Sequence, residues 1–285
     1  PKAAHTAGDY PAPSDFFYAD GPVMEKKADS DEEVKSSTRF RFREGDVKQW
    51  EHLDEAVFVV FHSWATSLHR VKALDLQQRI VEFTGPARWH FTYWTNDQWY
   101  FVDHLLDALE LPGEWCLSRK DGVLHYLPKP GETPETVDAV IPLVRQFILL
   151  QGRPQEESFV SHLHFKGLSM RYGDWPIGPS GHSDGQAEAS VEAAIQAVGA
   201  RDCLFEGCEV SHVGGYGVWL REGSQNNRLQ RCALTDLGAG GLRIGETADP
   251  ATPAQAVSHN VMDNCLLHDG GRIYRSAVGV WIGRS

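Results

Sequence analysis

One short pattern occurs three times in the C-terminal part of this 285-residue sequence. The copies lie at residues 205–212, 229–236 and 262–269, and each has a cysteine at its fourth position. The first two copies are 24 residues apart and the last two are 33 apart, which we interpret as one period plus an inserted loop at about residues 247–257. A period in the twenties is typical of solenoid folds, in which each copy forms one coil.

Three-residue strands with an apolar first and third residue recur between the copies. Because side chains alternate along a strand, their middle side chains are expected to point outward. Glycine-rich bends such as residues 237–241 separate these strands and exclude long helices. The strands are residues 218–220, 242–244 and 280–282, with Trp219, Arg243 and Trp281 in the middle.

These features predict an all-β fold, a parallel β-helix with about four coils. A diverged earlier coil begins with residues 165–168, which match residues 205–208. Residues 173–189, rich in glycine, proline, serine and aspartate, are predicted to be a surface loop inserted into that coil. The predicted β-helix occupies residues 151–285.

The N-terminal half shows no such repeat. Residues 1–38 are polar and are expected to form an extended leading segment, whereas residues 39–150 predict a mixed, mainly β domain inserted or packed beside the coils. Apolar residues at helical spacing predict a helix over residues 100–110. The remaining predicted elements are strands at 57–61, 79–83 and 144–150 and a hairpin of 114–117 with 123–127 around Asp121-Gly122.

Composition excludes several classes of partner. The net charge of −12 argues against nucleic acid, because binding phosphates requires a basic face, and no segment is apolar enough to cross a membrane. The repeated cysteines, Cys208, Cys232 and Cys265, favour a column of buried thiols over a metal site. We therefore expect no metal and no cofactor.

The glycine-rich bends and an upstream segment together resemble the right-handed parallel β-helix proteins of glycoside hydrolase family 141, from about Phe40 onward. The residues that carry the likeness are 112–122, 199–201, 214–216 and 236–246. The resemblance implies a right-handed helix with an inserted β-rich domain, activity on α-L-fucosides of pectin side chains or on xylan, and a secreted or periplasmic location. No signal peptide is visible. Family members are longer and the last strand has no cap, so we expect a piece of a longer chain.

Asp236 and Asp269 occupy the same position in successive copies, and His212 occupies it one copy earlier. Stacked strands would place them about 4.8 Å apart. Glycoside cleavage needs two carboxyl groups, one protonated and one ionised, and like charges at short distance raise one pKa. We therefore predict Asp236 and Asp269 as the catalytic pair. The alternative is that an aspartate before glycine stabilises a turn.

Further residues are candidates for substrate binding. The column of Trp219, Arg243 and Trp281 predicts a wall that stacks on sugar rings, or alternatively a structural cation–π ladder. The other candidates are His212 in the column, His268 beside Asp269, Glu246 after the last strand of the second copy, and His62 and Trp64 in a loop of the N-terminal domain.

The sequence therefore favours a glycoside hydrolase that acts on a polysaccharide or oligosaccharide. Two alternatives remain open. A polysaccharide lyase would use Arg243 or Arg272 as its base, and it usually needs Ca²⁺ held by an acidic cluster that the outward positions lack. A non-catalytic carbohydrate-binding solenoid is the other, because fold does not fix function.

Overall fold

The computed structural model describes residues 16–27, 29–174 and 176–284, and it divides into two compact units. The first unit ends at Ala139 and also takes in Ile177–Gly185; the second comprises Val140–Pro176 and the chain from Gln186 onward. Among the described residues, no helix has the length and apolar character needed to cross a membrane.

The strands are short, and most have three to five residues. Those that precede residue 140 are β1 (Phe17–Lys26), β2 (Glu33–Phe42), β3 (Val57–Phe61), β4 (Thr66–Asp75), β5 (Ile80–Phe83), β6 (Trp99–Asp103), β7 (Trp115–Ser118) and β8 (Val123–Tyr126). Those that follow are β9 (Ile148–Gln151), β10 (Val160–Ser161), β11 (His164–Lys166), β12 (Ser169–Gly173), β13 (His182–Ser183), β14 (Ala193–Val198), β15 (Ala200–Arg201), β16 (Leu204–Glu206), β17 (Glu209–Val213), β18 (Tyr216–Leu220), β19 (Arg228–Gln230), β20 (Ala233–Leu237), β21 (Leu242–Ile244), β22 (Val261–Asp263), β23 (Leu266–His268) and β24 (Val280–Ile282). Short 3₁₀ helices lie at Leu106–Ala108, Pro154–Glu156 and Pro253–Gln255.

The first unit is an antiparallel barrel. Its strands run in the order β4-β3-β6-β1-β2-β5, and pairing of β4 with β5 closes the sheet; β13 adds to the open side of β4. The interior is filled by aromatic rings, most of which meet edge-on or tilted, whereas Phe58 and Tyr100 stack with their centroids 5.7 Å apart; aromatic quadrupoles favour both arrangements. The largest of these buried side chains are Phe40, Phe42, Phe58, Phe83, Phe91 and Tyr100.

The second unit consists of small parallel sheets. Two have four strands, β11-β16-β19-β22 and β12-β17-β20-β23; one has five, β9-β14-β18-β21-β24; and β10 pairs with β15. Their inward side chains form one apolar core, in which the rings of Phe165 and Phe205 stack at 4.8 Å. The three copies of the repeat pair in register, Phe205 with Leu229 and Leu229 with Met262.

The predicted fold class, a right-handed parallel β-helix of about four coils with a packed mainly-β domain, is wrong. The chain is all-β, as expected, but its largest sheet contains a closed six-stranded antiparallel barrel. The parallel strands are divided among separate small sheets of two to five strands, which do not make a clear β-helix. The repeat predicted the in-register pairs but not the architecture.

The N-terminal half differs from expectation in two places. Within residues 1–38, predicted to be extended and loop-like, lie β1 and the start of β2; for residues 1–15 the prediction lies outside the described residues. The predicted helix over 100–110 is wrong, because β6 pairs with β3 there and only a 3₁₀ turn follows. The predicted hairpin is confirmed, with Trp115 opposite Tyr126.

The repeated cysteines are free thiols, with Cys208 and Cys232 buried and Cys265 half-buried. The Cys232 thiol lies 3.4 Å from the carbonyl oxygen of Phe205, and burial raises its pKa to about 11. The thiols therefore pack as small apolar groups in the core.

Glycines in the bends allow the backbones of stacked segments to meet. A Cβ on Gly238 would lie 2.0 Å from the carbonyl oxygen of Gly214, whereas one on Gly279 would lie 3.9 Å from the nearest atom, in the side chain of Leu267. The first distance is impossible without moving a backbone, and the second is an ordinary contact.

We predict that Gly238→Ala lowers the free energy of unfolding by about 3 kcal/mol, because the new methyl group must displace a hydrogen-bonded segment. Gly279→Ala is the matched control and should change it by less than about 1 kcal/mol. Urea unfolding followed by circular dichroism measures both. Equal stability of the two variants would contradict this packing.

Candidate functional site

Four residues at matching positions of β12, β17, β20 and the end of β23 form a column. In-register pairing places Tyr172 beside His212, and His212 beside Asp236. The Leu237 N–H donates to the Asp269 carbonyl, so Asp269 follows Asp236 in the column. Neighbouring strands of a sheet are about 4.8 Å apart. Each of the four residues has a left-handed backbone, with φ between 51° and 61°. We call them the kink column.

The left-handed backbone is not specific to this column. Two further columns have the same conformation, so the kinks are a general feature of the bends and do not mark strain stored for catalysis. Those columns are His162, Asp202, Asn226 and His259, and Gly167, Gly207, Arg231 and Asn264. What distinguishes the kink column is the chemistry of its side chains.

One guanidinium group bridges the two aspartates. Arg272 donates from Nε to Asp236 Oδ1 at 3.0 Å, and its Nη2 lies 3.2 Å from Asp269 Oδ1. The backbone N–H of Arg272 donates to the carbonyl of Leu237, which fixes the bend beside β20. About one third of the Arg272 and Asp236 side chains, and half of the Asp269 side chain, is exposed. A ligand in solution can therefore reach both carboxylates.

Each aspartate also has a histidine partner. His212 Nε2 lies 3.5 Å from Asp236 Oδ2, and His268 Nδ1 lies 2.6 Å from Asp269 Oδ2. The hydrogen bond from His268, together with the charge of Arg272, lowers the pKa of Asp269 below its usual value. Among the described residues, the carboxylates contact side chains rather than backbone N–H groups, which counts against the turn-stabilising alternative.

The predicted wall of Trp219, Arg243 and Trp281 lies on a different sheet from the kink column. Trp219 and Arg243 are 5% and 0% exposed, so neither offers an accessible surface to a sugar, although both lie on the face opposite the apolar core. The guanidinium carbon of Arg243 lies 3.5 Å from the ring centroid of Trp219 and 5.1 Å from that of Trp281. Arg243 also donates to the carbonyl of Val191 at 2.7 Å. These contacts match the cation–π ladder, and Trp281 is half-buried at its end.

Glu246 belongs to the same structural group. Its Oε1 accepts from Arg221 Nε at 2.7 Å, and the Arg221 guanidinium lies 4.1 Å from the centroid of the Trp219 ring. The carboxylate thus holds an arginine over the ladder, and a role for Glu246 in substrate binding stays a prediction.

His62 and Trp64 lie in the barrel unit. His62 is enclosed between Ser67 and Gln98, and burial lowers its pKa to about 4. Trp64 is 49% exposed and meets Trp94 edge-on at 4.8 Å. Of the residues predicted from the sequence, the structure therefore brings together Asp236, Asp269, His212 and His268.

Sequence reasoning missed two members of the site. Tyr172 packs on His212 with ring centroids 5.0 Å apart, and Arg272 was considered only as a lyase base. The signal for Arg272 was its position three residues after Asp269, across the Gly270-Gly271 bend. When glycines allow a tight turn, a basic side chain three residues after an aspartate can contact that aspartate.

Comparison with solved structures identifies a similar fold. A protein named "Glycoside hydrolase" superposes with a TM-score of 0.67 at 16% sequence identity, over 94% of this chain. The chain spans 60% of the length of that protein. At this identity the likeness concerns the fold alone. No protein-family model matches the sequence, and no curated protein is significantly similar to it, so membership of family 141 stays a prediction.

We predict that Arg272→Gln raises the pKa of Asp269, because the variant removes the cation that helps to keep this carboxylate ionised. NMR titration of the carboxyl carbons measures the shift. Arg228→Gln is the matched control, since Arg228 pairs with Asp263 at 3.5 Å, and it should leave Asp269 unchanged. If the pKa of Asp269 is unchanged in Arg272→Gln, the guanidinium of Arg272 does not stabilise the ionised Asp269 carboxylate in solution.

Proposed function

We propose that this protein is a glycoside hydrolase and that Asp236 and Asp269 are its catalytic carboxyl groups. The observation that carries the proposal is a single, one-third exposed guanidinium, Arg272, that contacts the carboxylates of Asp236 on β20 and of Asp269 directly after β23. The similarity of the fold to a protein named as a glycoside hydrolase supports the same class. Two carboxyl groups on either side of the scissile bond are the usual requirement for this reaction.

The surroundings of the two groups suggest different roles. Asp269 is the ionised partner, the nucleophile or base, because His268 and Arg272 lower its pKa. The proton-donor role then falls to Asp236 by elimination, because the reaction needs one carboxyl group of each kind, and His212 lies against its second oxygen. Arg272 and the two histidines are positioning residues in this scheme, since they act through the carboxylates.

The proposed substrates are polysaccharides of the plant cell-wall type. α-L-Fucosides and xylan are the first to test, because these are the activities that the sequence resemblance implies. The exposed carboxylates lie on a sheet surface, which suits an extended glycan chain better than a small enclosed molecule.

We predict that Asp236→Asn and Asp269→Asn each lower the rate of hydrolysis at least about a hundredfold, because each removes a proton-transfer group or nucleophile. Release of reducing sugar from xylan and of aryl alcohol from an aryl α-L-fucoside measures the rate. Asp263→Asn is the matched control: Asp263 also pairs with an arginine and is 47% exposed, but it lies on β22 outside the column. Loss of activity in Asp263→Asn alone, or no hydrolysis by the wild type, would refute the assignment.

A polysaccharide lyase is the second candidate, and the position of Arg272 favours it. Lyases on β-rich scaffolds use a basic side chain to remove a proton next to a uronate carboxylate, and Arg272 is one-third exposed beside the pair. Arg243 no longer qualifies, because it is fully buried. The two reactions differ in product: a lyase forms an unsaturated ring that absorbs ultraviolet light, whereas a hydrolase does not.

A further inference from the structure

The barrel unit contains a cavity of about 370 Å³ that is separate from the kink column in sequence and in chemistry. Its volume falls near the lower end of the range for small-ligand pockets, about 300–1,000 Å³. The lining combines three aromatic side chains with four polar ones. These are Phe61, Trp94 and Trp99, and His62, Ser63, Thr95 and Gln98.

Two tryptophans form the accessible walls. Trp94 is 40% exposed and Trp99 is 46% exposed, so part of each ring faces solvent. Each is held by neighbouring rings: Trp94 meets Tyr93 edge-on at 4.6 Å, and Trp99 lies 5.4 Å from Phe16. Rings that are already fixed lose little side-chain entropy when a ligand stacks on them.

A shared carbonyl anchors the cluster behind Trp94. The indole N–H groups of Trp64 and Trp89 both donate to the carbonyl of Gly185, at 3.0 and 3.2 Å. Both rings contact Trp94 edge-on, at 4.8 and 5.4 Å. The aromatic wall is therefore rigid although it is half exposed.

Two of the polar lining residues, Gln98 and His62, belong to a hydrogen-bonded chain with a defined direction. The Thr92 N–H donates to Gln98 Oε1 at 2.6 Å, which orients the amide so that Gln98 Nε2 donates to His62 Nδ1. His62 must then be protonated at Nε2, and it donates to Ser67 Oγ at 2.8 Å. The Ser67 hydroxyl in turn donates to His69 Nε2. This chain requires neutral histidines, and burial lowers the pKa of His62 to about 4.

The lining therefore carries no full charge near neutral pH, as far as the described residues show. A lining without a cationic side chain offers no charged partner to phosphates, uronates and other anions. Exposed indole faces next to hydroxyl groups suit the C–H faces and hydroxyls of a sugar ring.

We propose that this cavity is a binding site for a neutral oligosaccharide segment, with Trp94 and Trp99 stacking on sugar rings and Ser63 and Thr95 contacting hydroxyl groups. The site goes beyond the proposed hydrolysis and does not depend on it, because none of its residues belongs to the kink column.

The test uses the full chain carrying Asp269→Asn, which removes a proposed catalytic group, and xylohexaose and cellohexaose as neutral probes. We expect both probes, or one of them, to shift the indole N–H signals of Trp94 and Trp99 in NMR titrations. Trp115 is the internal reference, since it is 58% exposed in the same unit but does not line the cavity. Binding without shifts at Trp94 and Trp99, or no binding by either probe, would overturn the proposal.

Variants then test which side chains contribute to the free energy of binding. Trp94→Ala should weaken binding at least about tenfold, whereas Trp115→Ala should leave the dissociation constant unchanged. Gln98→Ala removes a polar group of the lining and should also weaken binding. A pentagalacturonate probe serves as the charged counterpart, and it should bind more weakly than xylohexaose. Equal affinities of the Trp94 and Trp115 variants, or tighter binding of the uronate, would contradict the assignment.

Discussion

Parallel hydrogen bonding between stacked short strands is the interaction on which the second unit depends. The Leu266 N–H donates to the carbonyl of Cys232, and the Leu237 N–H donates to the carbonyl of Asp269, so segments 33 residues apart become direct neighbours. Each bond fixes one strand against the next at a single register, because a shift by one residue would turn the apolar side chains out of the core. The proximity of Asp236 and Asp269 is a direct consequence of this register.

The ends of the strands need their own polar partners. Asn227 is buried, and it accepts from the Cys203 N–H and donates to the carbonyl of Ala200 and to the side chain of Asn260. Such side chains satisfy backbone groups where a bend interrupts the sheet, and an unsatisfied buried group would cost about 1–3 kcal/mol. Asn227 thereby satisfies backbone groups next to the left-handed residues Asp202 and Asn226.

The part of the fold that follows from local repetition could be predicted from the sequence. The register of the copies, the buried cysteines and the neighbouring positions of His212, Asp236 and Asp269 all follow from one period. Closure of the barrel could not be predicted, because it depends on the pairing of Val71 with Phe83, which no local pattern encodes. Residues 100–110 illustrate the same limit, since pairing with β3 overrides the helical spacing of their apolar residues.

The positions of side chains were harder to predict than the positions of strands. Alternation correctly placed Trp219 and Arg243 on the opposite face from the apolar core, yet both are buried because another segment covers that face. Its carbonyl groups at Ala189 and Val191 accept hydrogen bonds from Arg243. A charged residue in the middle of a strand is therefore weak support for an exposed binding surface when a long insertion precedes it in the chain.

The two candidate sites differ in charge and therefore in the ligands that they can accept. The kink column and its partners Arg272 and His268 combine two carboxylates, an arginine and two histidines, so their interactions change with pH and weaken with salt. The barrel cavity has a lining without charged side chains, in which burial keeps His62 neutral, so its contacts rest on aromatic surface and hydrogen bonds. Contacts of that kind hold a neutral chain without acting on it chemically. Under the two proposals, reaction at the kink column and retention at the barrel cavity make different demands on a glycan, and each set of residues meets only one of them.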